Sequence, residues 1–192
     1  MERFLASTRI IDWQTPSVLE QARSLAQGCG DDESVARACF HWVRDEVCHS
    51  WDYRQNPVTC RASEVLAHRT GYCYAKSHLL AALLRANGIP AGLCYQRLSE
   101  NDDGAPYCLH GLNAVYLQRH GWYRIDARGN KPGIDAQFIP PHERLAFVIN
   151  EEQEADLPEI WAEPSLSVVA VLERYETVQA VHENLPDVAL IN

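Results

Sequence analysis

Apolar positions follow two different rhythms along this chain. In the first half they recur at helical spacing. Val18, Leu19, Ala22, Leu25 and Ala26 line one face of a predicted helix that has proline at its first position, in Thr15-Pro16, and stops at Gly28. Val35, Ala38, Cys39, Trp42, Val43 and Val47 repeat the pattern in a second helix, which Asp31 or Asp32 caps. After an irregular stretch over Trp51–Pro57, a short helix from about Ala62 to Arg69 ends near Gly71, a residue suited to a left-handed cap. From Cys73 onward, Leu79, Leu80, Leu83 and Leu84 form a two-row stripe that predicts a central buried helix, stopped by Asn87-Gly88-Ile89-Pro90.

Beyond Pro90 the period shortens to that of strands. Leu93–Leu98 reads as one, followed by the polar loop Ser99–Gly104. His110–Leu117 and Trp122–Asp126 read as a hairpin around Gln118-Arg119-His120-Gly121. A further strand is expected at Leu145–Ile149, a solvated acidic loop at Glu151–Asp156, and a C-terminal helix from Ser165 to about Glu183. Helices first and strands after point to an α+β architecture. With no repeat or composition shift, the 192 residues are expected to form a single domain, 1–192.

Composition narrows the function. A net charge of −9 argues against nucleic acid as a partner, because phosphate binding draws on a dense basic surface. No apolar run approaches a membrane span and the opening residues Met1–Phe4 start no signal peptide, so no membrane association and a cytoplasmic location are expected. The seven cysteines are an odd number without framework spacing and are expected as free thiols. Cys48-His49 and Cys108-Leu109-His110 put soft ligands close together, but the chain has no Cys-x-x-Cys pair. Neither a metal nor a cofactor is expected.

Cys73 carries the chemical signal. It follows Gly71-Tyr72 at the head of the central helix, where free backbone N–H groups and the positive end of the helix dipole favour a thiolate. His110 and Asp126 follow on the two hairpin strands. A lone cysteine, histidine or aspartate is more often structural, and the weight here is collective. The carboxylate can orient the imidazole only if the hairpin register suits it. With Leu117 opposite Trp122 the two residues fall on opposite faces. A loop one residue shorter or longer sets Leu112 opposite Asp126 and makes His110 its diagonal neighbour, about 7–8 Å away. An odd loop or a bulge is therefore required. His110 would then act as the base and Asp126 as its orienter. The Cys73 N–H is one candidate oxyanion donor, and Trp51 or Tyr53 is the candidate for a second. Lys76 and Arg69 read as solvated, and Asp126→Asn as costly to turnover but not to stability.

These residues, together with His41–Asp45, Ala62–Leu66, Leu83–Ala91 and Gly121–Asp126, resemble the transglutaminase-like cysteine enzymes over roughly residues 31–130. The resemblance implies a papain-like fold, with the nucleophile helix packed on an antiparallel sheet and a C-terminal extension over about 140–192. It assigns Cys73 as nucleophile, His110 as base and Asp126 as orienter. The chain departs from the family pattern after the histidine, with Gly111-Leu112-Asn113-Ala114, and after the aspartate, where Ala127-Arg128 replaces proline and threonine. The expected activity is a cysteine amidase or peptidase acting on a peptide, protein or small amide. Acyl transfer to an amine and a non-catalytic peptide-binding module are the alternatives.

Overall fold

The computed structural model describes residues 1–101, 103–150 and 152–188. Helix α1 (Pro16–Ala26) buries Val18 and Ala22. Helix α2 (Asp32–Glu46) starts at Asp31, whose side chain accepts the Ser34 N–H at 2.9 Å while Ser34 Oγ accepts the Asp31 N–H at 3.1 Å. Strand β1 (Cys48–His49) leads into the single-turn helix α3 (Ser50–Tyr53), and helix α4 (Ala62–His68) leads into strand β2 (Thr70–Gly71). β1 and β2 pair in parallel, setting His49 opposite Gly71. The pairing carries residues 48–53 to the head of the next helix.

That helix, α5 (Cys73–Ala86), is buried from Cys73 through Arg85, on all sides rather than along a stripe. Its polar side chains reach carbonyls of surrounding segments, as burial without water demands. Lys76 Nζ donates to Val47 O and to Arg44 O, the latter at 3.3 Å, and His78 Nδ1 lies 2.7 Å from Cys60 O. Arg85 donates to Ala91 O at 2.8 and 3.0 Å and to Ala162 O at 2.6 Å. Lys76, expected in solvent, is 1% exposed. The left-handed cap of α4 falls on Arg69, at φ +53°, rather than on Gly71. Gly71 serves a different need: a Cβ there would stand 3.0 Å from Ala75 Cβ and 3.1 Å from Thr59 Oγ1.

The main sheet contains β3 (Ala91–Ser99), β4 (Tyr107–Leu117), β5 (Gly121–Ile125) and, further along the chain, β8 (Ala155–Asp156), in the order β5-β4-β3-β8. β6 (Gln137–Ile139) and β7 (His142–Arg144) form a separate hairpin. One face of the sheet packs on α5, and on the other Cys94, Leu112 and Ala114 meet Trp122, Leu145 and Ile160. The β4-β5 turn is one residue tighter than the sequence composition suggests. Leu117 pairs with Gly121, at φ +73°, leaving a three-residue loop, and Asn113 pairs with Ile125. Continuing that register sets Leu112 beside Asp126, as the odd-loop reading requires.

Three further expectations fail. Residues 145–149 form no strand, because their polar backbone groups bond side chains instead: Ala146 N–H donates to Asp126 at 3.1 Å and Phe147 O accepts from Gln96 at 3.4 Å. The acidic stretch is not wholly solvated. Glu154 is 6% exposed, accepting the Ser99 N–H at 2.9 Å and the Asn150 N–H at 2.8 Å, and β8 follows it, while Glu151 lies outside the described residues. The C-terminal helix is two helices, α6 (Leu166–Arg174) and α7 (Val178–His182), because Tyr175 turns extended and Thr177 opens a new cap on the Ala180 N–H at 3.2 Å.

Candidate active site

Tyr72 is the N-cap of α5 and makes no side-chain cap bond, so the first-turn N–H groups of the helix carry no intrahelical partner. The Cys73 side chain sits there, 7% exposed, and its Sγ accepts the backbone N–H of Gly111 at 3.4 Å. This approach of helix to strand is possible because residue 111 is glycine. A Cβ would meet Tyr74 Cδ1 at 2.9 Å and Tyr74 Cα at 3.1 Å. Tyr74 Oη closes the same contact by donating to Leu109 O.

His110 stands between the thiol and a carboxylate. Its Nε2 lies 2.7 Å from Asp126 Oδ2, and Phe147 packs edge-on against it at 4.9 Å. Asp126 is fully buried and accepts two backbone N–H groups besides, from Arg128 and Ala146, each at 3.1 Å. The structure thus brings Cys73, His110 and Asp126 into one row, with His110 and Asp126 hydrogen-bonded and Cys73 on the neighbouring Gly111 N–H. Burial disfavours the imidazolium, but the charges of Asp126 and Cys73 and the hydrogen bond to Asp126 outweigh it and raise the His110 pKa to about 10. Asp126 moves the other way: burial pushes its pKa up, and His110 with the two N–H donors pulls it below the usual carboxylate range.

A cavity of about 750 Å³ opens over Cys73 and His110. Trp51 lines it, stacked on His182 at 3.5 Å between ring centroids, with the Arg54 guanidinium 3.2 Å from its ring. Tyr53, the other candidate for a second oxyanion donor, is not brought there. It is 63% exposed and lines a neighbouring groove, because the short α3 helix turns it away from Trp51. Sequence reasoning missed His49, which lines the cavity at 7% exposure. Its Nδ1 is buried without a hydrogen bond, 3.5 Å from Asp52 Oδ2, and burial followed by the Arg128 charge pushes its pKa well down. The β1-β2 pairing that delivers it involves two residues on each side, too short for a periodic signal.

One end of the cavity carries an ion cluster. Arg128 donates to Asp52 at 2.7 and 3.1 Å, and Lys131 Nζ donates to the same carboxylate at 2.6 Å. Burial raises the Asp52 pKa, but these partners and the nearby cations more than offset it and bring it to about 2. Glu100 and Glu154 also line the cavity. Among the described residues no three His, Cys, Asp or Glu side chains gather as a metal site. No helix among them is long and apolar enough to cross a membrane.

A family model described as the transglutaminase-like superfamily matches residues 20–127. No curated protein matches the chain. Among solved structures, a protein of Cytophaga hutchinsonii described as a candidate cysteine protease is similar, with TM-score 0.54 and 21% identity over 65% of this chain and 40% of that one. The periplasmic domain of TgpA from Pseudomonas aeruginosa gives TM-score 0.44 and 20% identity over 58% of this chain and 42% of that one. The chain spans less than half the length of either structure, and at such identity the first likeness is one of fold.

Proposed function

The chain belongs to the transglutaminase-like superfamily, and from that premise we propose that it is a cysteine amidase or peptidase working through a thioester at Cys73. The observation that carries this reading is the row from Cys73 through His110 to Asp126, with the 2.7 Å contact between the last two and an N–H held on the sulfur. Cys73 Sγ attacks the acyl carbon of an amide. His110 protonates the departing amine and then takes a proton from the attacking water, while Asp126 holds the ring and stabilises its charged form. The Cys73 N–H at the helix head faces the developing oxyanion, and Trp51 supplies the second donor in this reading. Water is the expected acceptor.

The test is a panel of amide and peptide substrates turned over by wild type and by Cys73→Ala. Release of amine by wild type alone supports the reading. Equal release by both proteins defeats it. Acyl transfer to an amine shares the thioester, and a rising primary-amine concentration separates the two: hydrolysis should remain the main product. Saturable adduct formation at low amine concentration would establish an acyltransferase. A non-catalytic binding module predicts no release from any substrate.

A further inference from the structure

Two cations, Lys131 and Arg128, stand in the cavity lining. Arg128 lies two residues after Asp126. Its backbone N–H donates to Asp126 Oδ1 at 3.1 Å, and its guanidinium lies 5.6 Å from the Phe147 ring that packs on His110. The side chain therefore stands beside the reacting row. It is 8% exposed and spends its donors on Asp52, as does the 43% exposed Lys131.

Two cations share one carboxylate, so the cluster carries one uncompensated positive charge. Lys131 gives one N–H to Asp52 and has two left. The carboxylates of Glu100 and Glu154 also line the cavity, Glu154 bonded to the backbone N–H groups of residues 99 and 150, so the excess belongs to the Asp52 cluster and not to the cavity as a whole. Within a chain of net charge −9, a positive excess at this cluster is local and directional. His49, buried between Tyr72 and Asp52, adds an imidazole whose Nδ1 has no hydrogen bond. Resting on the nucleophile reading above, we propose that the acyl donor carries a free carboxylate, seated on Lys131 beside Arg128, and that Lys131 is a specificity-determining residue.

Iodoacetate and iodoacetamide test this without knowledge of the substrate. Both alkylate the thiolate in the same way: sulfur forms a bond to the methylene carbon as the carbon–iodine bond breaks and iodide leaves. They differ in bearing a carboxylate or its amide. We expect Lys131→Met to lower the ratio of iodoacetate to iodoacetamide labelling at Cys73 by about fivefold or more, as one unit charge acting across a partly exposed site would. Lys131→Arg should hold the ratio, Asp52→Asn should raise it, and added salt should shrink every difference. Ratios unchanged in both Lys131→Met and Asp52→Asn would overturn the proposal.

A titration of the full-length Cys73→Ala chain with glutarate and with glutaramide, followed by amide NMR, covers the case in which neither reagent labels Cys73. Glutarate-specific shifts around Lys131 and Arg128 would then support the carboxylate site although the nucleophile reading had failed. Equal or absent shifts would overturn it.

Discussion

The two walls of the cavity are built differently. On one side stand the head of α5 and strand β4, with Cys73, Gly111 and His110 in direct contact through regular backbone. On the other are mainly connecting segments: the 128–134 turn, residues 146–150 and, beyond the last residue of α7 at His182, Leu185. The first wall is held by packing, with α5 buried from Cys73 through Arg85. Single side chains hold the second, such as Glu154 on the Ser99 and Asn150 N–H groups and Arg97 on Asp187 at 2.7 and 2.8 Å. Precision suited to a reacting row sits on elements, and adaptable contacts sit on loops. Changes in the first wall should therefore strike turnover, and changes in the second should strike substrate affinity.

The largest effect should come from Asp126→Asn. Loss of the charge that orients His110 is expected to reduce kcat about 10⁴-fold. The structure also revises the expectation that stability would be spared. The fully buried carboxylate accepts from His110 and from two backbone N–H groups, so an amide NH₂ must face a donor, at a cost of about 1–3 kcal/mol measured by denaturant unfolding.

The pH dependence follows from the shifts. His110 is raised to about 10 from 6.5, so its stabilisation is complete below pH 6.5 and fades as pH rises towards 10. Asp126 is lowered from 3.8, so its share is present above that pH and lost as pH falls below it. The gap in melting temperature between wild type and Asp126→Asn should be widest between pH 4 and 6.5 and should close towards pH 10. A gap that widened on the alkaline side would contradict a charged His110.

Gly111→Ala is the next sharpest probe, since its Cβ would press on Tyr74 at 2.9 Å and must displace β4 from α5. A loss of about 1–3 kcal/mol is expected from the overpacking. Slower iodoacetamide labelling of Cys73 should accompany it as the Gly111 N–H leaves the sulfur. Cys39, Cys60, Cys94 and Cys108, whose thiols burial pushes up to about 12, should label more slowly than Cys73 in either protein.

Glu154→Gln tests the second wall. Weakening its hold on residues 99 and 150 should raise KM several-fold while kcat stays within about twofold, the split expected when only ground-state binding is lost. An equal fall in kcat would mean that the loop wall is part of the reacting geometry. The smallest effect belongs to a site remote from both walls: Asp31→Ala removes the α2 cap and should cost about 1 kcal/mol of stability with no change in Cys73 labelling.

What was legible in the sequence lay in periodic or strictly local signals. The two-row leucine stripe marked α5, Asp31 or Asp32 marked the cap of α2, and the glycine before Tyr72-Cys73 marked the sharp entry to α5. Even the one-residue hairpin adjustment was legible, because His110 and Asp126 could meet on one face only with an odd loop. Residues 145–149 misled because a short continuous apolar run reads as a strand, whereas here the Ala146 N–H is claimed by Asp126 and the Phe147 carbonyl by Gln96. Lys76 misled because a lysine is ordinarily solvated, yet carbonyls of residues 44 and 47 meet its ammonium inside the protein.

By itself, then, the sequence determined the longer elements from α1 to β5 and singled out Cys73, His110 and Asp126, since spacing and backbone preference act within a few residues. The tertiary structure alone decided the rest of the cavity. His49 arrives there through a two-residue strand pairing, Trp51 through a single helical turn, and Lys131 and Arg128 by converging on Asp52 from 79 and 76 positions away. Contacts at such separation leave no period in the chain, because they depend on where whole elements pack and not on what each residue prefers.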